Sequence, residues 1–171
     1  MGMQDKNTIN PILDMTAGSR MFWWNKGNKN VTFLDKRDAD YDVGTYLTKS
    51  GDVDRKVHVH PDIVADWVKD GLPFQDNTFH MVVFDPPHLL HAGDDSWLYA
   101  KYGRLDDDWQ EQLHKGFIEA MRVLKPYGTL VFKWNDDQIK LSTVLKAIGE
   151  NPLYGDKRSK THWLVFMKGV N

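Results

Sequence analysis

Apolar runs of strand length recur along the chain: PILDM at 11–15, VTFLD at 31–35, PDIVAD at 61–66, FHMVVFD at 79–85, GTLVFKW at 128–134 and HWLVFMK at 162–168. The intervals between them are long enough to hold helices. Parallel strands need crossover connections and are covered on both faces, so apolar runs on this rhythm predict a mostly parallel sheet. The predicted class is α/β.

Two stretches carry a helical period instead. In LDDDWQEQLHKGFIEAMRVLKPYG, at 105–128, Trp109, Leu113, Phe117, Ala120, Met121 and Leu124 recur at three- and four-residue steps. Asp106 to Asp108 favour its start electrostatically, and Pro126 with Gly128 marks its end. In DDQIKLSTVLKAIGE, at 136–150, Ile139, Val144, Leu145 and Ile148 form a core face that Gly149 and Pro152 terminate. Residues 36–60 and 89–106 follow neither period. The second stretch, with Gly93, Trp97, Tyr99 and Tyr102, fits a substrate loop or lid, or a surface loop pinned by aromatics.

Length and composition narrow the classes. The 171 residues suit a single domain, and 41% hydrophobic with 27% charged residues is a globular composition. The absence of cysteine excludes a disulfide framework, a thiolate metal site and a cysteine nucleophile. The opening MGMQDKNTIN lacks an apolar signal region and no apolar run approaches membrane-spanning length, so the expected setting is the cytoplasm, with no membrane partner. A formal net charge of -2 gives no general attraction to polyanions. Nucleic-acid binding therefore needs a local patch: Arg20, Lys26 and Lys29, or Lys157, Arg158 and Lys160, the latter set reading more readily as a solvated surface.

The strand ends carry the chemistry. In open α/β sheets ligands bind beyond the carboxyl ends of the strands. The first strand leads into ILDMTAGSRMF, where Asp14, Thr16, Ala17 and Gly18 form a small-residue loop before an expected helix whose N–H groups face a ligand. Alone this pattern fits a plain βα turn as well. The second strand ends at Asp35, followed by Lys36, at the spacing of a ribose-binding carboxylate. The third ends at Asp66 and Trp67, an acid to accept from an adenine amino group and a ring to cover its face; the fourth ends at Asp85. Four strands ending in aspartate argue for a cofactor with a ribose and a base.

After the fourth strand comes Asp85-Pro86-Pro87-His88. With it, the chain resembles the class I S-adenosylmethionine-dependent methyltransferases, and within them the amino-group N-methyltransferases. Their signature is Asp, Asn or Ser, two prolines and an aromatic. The loop Asp14 to Gly18 and the runs PFQDNTFHMVVFDPP and MRVLKPYGTLVFK add ordered landmarks, and the resemblance covers roughly residues 10–168. It is similar to small stand-alone DNA methylases of phages and prophages.

The resemblance implies a Rossmann-like fold with helices on both faces and a last antiparallel strand. It implies S-adenosylmethionine held by Asp14, Thr16, Ala17, Gly18, Arg20, Asp35, Lys36, Asp66 and Trp67. Catalysis falls to Asp85, Pro86, Pro87 and His88: the carboxylate and a Pro-Pro carbonyl accept the amino hydrogens, the rings stiffen the loop, and His88 stacks on the target base. Trp97, Tyr102, Lys133 and Trp134 are the substrate-binding candidates. Two positions depart from the pattern: His88 replaces a larger aromatic, and Arg20 stands where many members have glycine, either contacting the cofactor carboxylate or lying on the helix surface.

Adenine N6 in DNA is the expected substrate, with RNA, a protein glutamine or a small molecule as alternatives, and a non-catalytic cofactor-binding module as a further one. No metal is expected. The rival metal arrangement is His58 and His60 on one strand face, or Asp85 with His88 and His91. Phe22, Trp23 and Trp24 fit a base-stacking platform or the packing of a helix into the sheet, with Phe22 assigned to the core.

Overall fold

The structure is a computed structural model that describes residues 10–170. In chain order the strands are β1 (Ile12–Asp14), β2 (Val31–Asp35), β3 (Ala39–Thr48), β4 (Gly51–Val59), β5 (Ile63–Val64), β6 (Phe79–Phe84), β7 (Leu124–Asn135), β8 (Tyr154–Arg158) and β9 (Thr161–Met167). The helices are α1 (Trp97–Tyr102), α2 (Trp109–Val123) and α3 (Leu141–Ile148). Seven strands form one sheet in the order β5-β2-β1-β6-β7-β9-β8, and β3 pairs with β4 as a separate hairpin. The fold is Rossmann-like: β5, β2, β1, β6 and β7 run parallel, and β9 lies antiparallel between β7 and β8.

Alternation within the strands divides the core. Leu13, Leu34, Val82, Leu130 and Phe132 face α2 and α3, where they meet Leu113, Phe117, Val144 and Ile148. Ile12, Val31 and Phe33 point the opposite way and pack with Ala17 and Trp23. All five residues of β2 are buried, as expected of a strand covered on both faces. Gly116 lets α2 approach the sheet, since a Cβ there would lie 2.7 Å from both the Phe84 and the Trp67 rings.

Several elements differ from the sequence reading. The helix expected after Gly18 does not form; Ala17 to Asn30 is a series of turns that closes the second face of the sheet in a helix's place. Gly18 and Arg20 have φ of +49° and +56°, and the Asn25 and Asn28 side chains accept from the amides two residues on, which favours turns over helix. The stretch at 36–60 is the β3–β4 hairpin, with Tyr41, Val43, Val57 and Val59 packed on Ala100 and Trp97 of α1. The run PDIVAD contributes only two strand residues, α3 begins at Leu141, two residues after the first apolar position of its pattern, and Leu124 opens β7 instead of closing α2. Among the described residues no helix is long and apolar enough to cross a membrane.

Candidate active site

Parallel pairing brings the carboxyl ends of β1, β2, β5, β6 and β7 to one edge of the sheet. A cavity of about 580 Å³ opens there, a size suited to a cofactor-sized ligand. The loops at 15–19, 35–37, 66–68 and 85–89 line it, and the C-terminal end of α1 with Gly103 and Arg104 covers one side.

On the β1–β2 side, Thr16, Ala17, Gly18, Asp35 and Lys36 all line the cavity. Asp35 organises this wall. Its Oδ2 accepts from the Gly18 amide at 2.8 Å, and its Oδ1 accepts from the Arg37 amide at 2.9 Å and from Arg37 Nε at 3.1 Å. The contact from Arg37 Nη2 to Oδ2 is long, at 3.4 Å. Asp66 and Trp67 also line the cavity. Asp66 Oδ1 accepts from the Val68 amide at 3.0 Å, while Oδ2 has no partner among the described residues.

Two expected cofactor residues take other places. Asp14 is fully buried beneath the loop, where it accepts from Trp23 Nε1 at 2.7 Å and the Thr16 amide at 3.2 Å. Burial, with the Asp85 and Asp35 carboxylates adding to it, pushes its pKa up to about 7. Arg20 lies over the Phe33 ring and donates to the Lys26 and His60 carbonyls and to Asp62, so it braces the turns from outside the cavity.

Asp85, Pro86, Pro87 and His88 line the cavity beside this wall. The β6–β7 register pairs Phe84 with Phe132, so the next residues, Asp85 and Lys133, stand level. Lys133 Nζ is 2.5 Å from Asp85 Oδ2. The Asp85 amide donates to Thr16 Oγ1 at 2.7 Å, which couples this loop to the first one. Burial raises the Asp85 pKa and the Lys133 ammonium opposes the rise. Asp85 Oδ1 has no partner among the described residues, and Asp85 lines the cavity.

His88 is 7% exposed and packs between Tyr102, 4.9 Å between ring centres, and Trp134 at 6.4 Å. Burial, aided by Lys133, lowers its pKa to about 4. A pKa this low leaves the ring neutral near pH 7.

Of the substrate candidates, Tyr102 and Lys133 line the cavity, whereas Trp97 and Trp134 do not. Trp134 is a core residue, fully buried and donating to the Ile139 carbonyl at 2.9 Å. Trp97 joins α1 to the hairpin. Phe22, expected in the core, instead lines the cavity with its ring edge-on to Trp163, and Trp24 is fully exposed.

The sequence reading missed Arg37 and Gln138. Arg37 Nη1 donates to the Ala100 carbonyl at 3.1 Å, tying α1 to the end of β2. Gln138 Oε1 accepts from the Leu90 and His91 amides at 2.6 and 3.0 Å, which fixes the chain after His88. Both contacts span dozens of residues and follow no local pattern. The rival metal arrangement divides: Asp85 and His88 line the cavity, while His58, on β4, and His60, just after it, lie beside Asp40 and do not.

No model of a known protein family matches the chain, and no curated protein does. Among solved structures it is similar to the PH0226 protein from Pyrococcus horikoshii OT3, with a TM-score of 0.54 and 16% identity over 92% of this chain and 81% of that one. At that identity the likeness concerns the fold, and it agrees with the Rossmann-like arrangement of the sheet.

Proposed function

We propose that the chain is an S-adenosylmethionine-dependent N-methyltransferase acting on an exocyclic nucleobase amine, with adenine N6 in DNA as the first substrate. One observation carries this reading: a single cavity at the strand ends gathers the Gly18 loop, Asp35, Asp66 and the rigid Asp85 to His88 loop. The donor set fits the cofactor. Asp35, though both its oxygens are engaged within the chain, would meet the ribose hydroxyls, the unengaged oxygen of Asp66 would meet an adenine amino group, and Gly18 would allow close approach.

When bound, S-adenosylmethionine supplies an electrophilic methyl group on a sulfonium. The chain's part is to make a poor nucleophile reactive. An exocyclic amine has its lone pair delocalised into the ring, and Asp85 Oδ1 with a Pro-Pro carbonyl accepts its hydrogens as charge develops on nitrogen. Pro86 and Pro87 hold these acceptors in place, so little reorganisation is needed. His88 reaches the cavity only at an edge, because Tyr102 and Trp134 pack against its ring, so its part is to hold the loop against the core rather than to stack on the base. Lys133 keeps the buried Asp85 carboxylate paired. The cavity lining holds Lys36, Arg37, Lys101, Arg104 and Lys160 as well, cations suited to a phosphate backbone. The reading sets this work in the cytoplasm of a bacterial or phage-infected cell.

The test is transfer of tritiated methyl groups from S-adenosylmethionine to separate pools of DNA, RNA and protein. Label in DNA, recovered as N6-methyladenine, is expected. Asp85→Ala should reduce it by about 10²-fold or more, the scale of losing one transition-state acceptor, while cofactor affinity stays within a few-fold. Label in RNA or protein would move the substrate to that class, and no label in any pool would contradict the proposal.

A further inference from the structure

We propose that the base of the β3–β4 hairpin binds a divalent cation of the zinc class through Asp40, His58 and His60, as a structural clamp separate from the cavity. The hairpin itself builds the donor set. His58 on β4 and His60, one residue beyond its end, are two apart in the chain and present their rings side by side, with centres 6.4 Å apart and planes inclined by 25°. Antiparallel register puts Asp40 of β3 directly opposite His58. Asp40 Oδ1 lies 2.5 Å from His58 Nδ1 and 3.0 Å from His60 Nε2, and the three ligand atoms are within 4.8 Å of one another. A tetrahedral zinc ion needs ligand atoms about 3.3 Å apart, from bonds near 2.0 Å, so small side-chain movements suffice.

A second contact would orient the His60 ring for a metal. Asp38 Oδ1 is 2.7 Å from the other nitrogen of the His60 ring, Nδ1. With an ion bound, a proton kept on Nδ1 by Asp38 would free the Nε2 lone pair for the metal, in place of the Nε2 contact to Asp40 seen without one. This carboxylate–imidazole arrangement orients metal-bound histidines generally. Two imidazole nitrogens and one carboxylate favour zinc, nickel or copper over magnesium or calcium, which take oxygen ligands. The four side chains are 56–64% exposed, so an ion reaches the site from solvent and a water completes its shell.

The placement explains what a clamp would do. A two-stranded hairpin alone is marginal in water. This one covers α1 through Val57 and Val59, and α1 carries Lys101 and Tyr102 of the cavity wall. An ion across Asp40 and β4 would close the hairpin at its base, next to the segment that follows Asp35.

Untagged full chain, stripped of metal with a chelator, is titrated with zinc chloride by calorimetry. Saturable binding near one ion per chain is expected, with no response to magnesium. The double variant H58Q/H60Q should abolish it, with an unchanged circular dichroism spectrum because the residues are exposed. Asp38→Asn leaves all three ligands in place and should weaken binding about tenfold, the usual effect of losing an orienting partner. Absence of saturable zinc binding, or equal affinity in the folded double variant, would overturn the proposal.

Discussion

Asp14 and Asp85 end neighbouring strands, yet their surroundings separate them. Asp85 has the Lys133 ammonium at 2.5 Å, whereas Asp14 has only neutral donors, Trp23 Nε1 and the Thr16 amide, and is fully buried. A carboxyl group with a folded pKa near 7 and an unfolded value of 3.8 retains its proton longer in the native state. The stability it contributes is complete below about pH 4 and is lost as the pH rises to about 7, up to roughly 4 kcal/mol in all. Asp14→Asn removes that titration. Melting temperatures measured from pH 4 to pH 8 should show the wild-type chain losing ground to the variant as the pH rises, and parallel curves would contradict the assignment. The sequence marked Asp14 as a strand-end acid, but only the folded chain shows that Trp23 covers it.

Among the elements, those governed by local period were legible and those governed by distant partners were not. The apolar spacing of Leu113, Phe117 and Ala120 announces α2, and the apolar runs announce β2, β6, β7 and β9. The β3–β4 hairpin was hidden because Asp, Lys and Gly dilute its alternation and only its base is buried, against an α1 that lies some forty residues on. The turns after Gly18 were read as a helix because a βα unit normally supplies one; the left-handed φ of Arg20 is a tertiary outcome, set by its bonds to His60 and Asp62. Gly116 also escaped notice, since a glycine in mid-helix reads as a weakness. Gly116→Ala should destabilise the fold by about 1–3 kcal/mol despite the better helix former, because the added methyl overpacks Phe84 and Trp67. Denaturant unfolding measures this directly, and a stabilised variant would show that α2 can shift outwards.

Across the whole molecule, the sheet assembles the site from residues that the chain keeps far apart. Parallel order carries Gly18, Asp35, Asp66 and Asp85 to one edge, which is why strand-end acids could be picked out before any coordinates. Trp134 and Trp97 lie outside the cavity: a strand's last aromatic and a loop's aromatic read alike in sequence, while burial and packing separate them from it. Lys133 lines the cavity, and its ion pair with Asp85 follows from the β6–β7 register. The central claim is that this edge binds S-adenosylmethionine. The most direct measurement is isothermal titration of the cofactor-free chain with S-adenosylmethionine, beside an Asp35→Ala variant whose fold is verified by circular dichroism. The account predicts saturable binding at one equivalent, weakened at least about tenfold in the variant, the loss of a charge-assisted hydrogen bond of ~1.5–3 kcal/mol. No binding to the folded wild-type chain would contradict it.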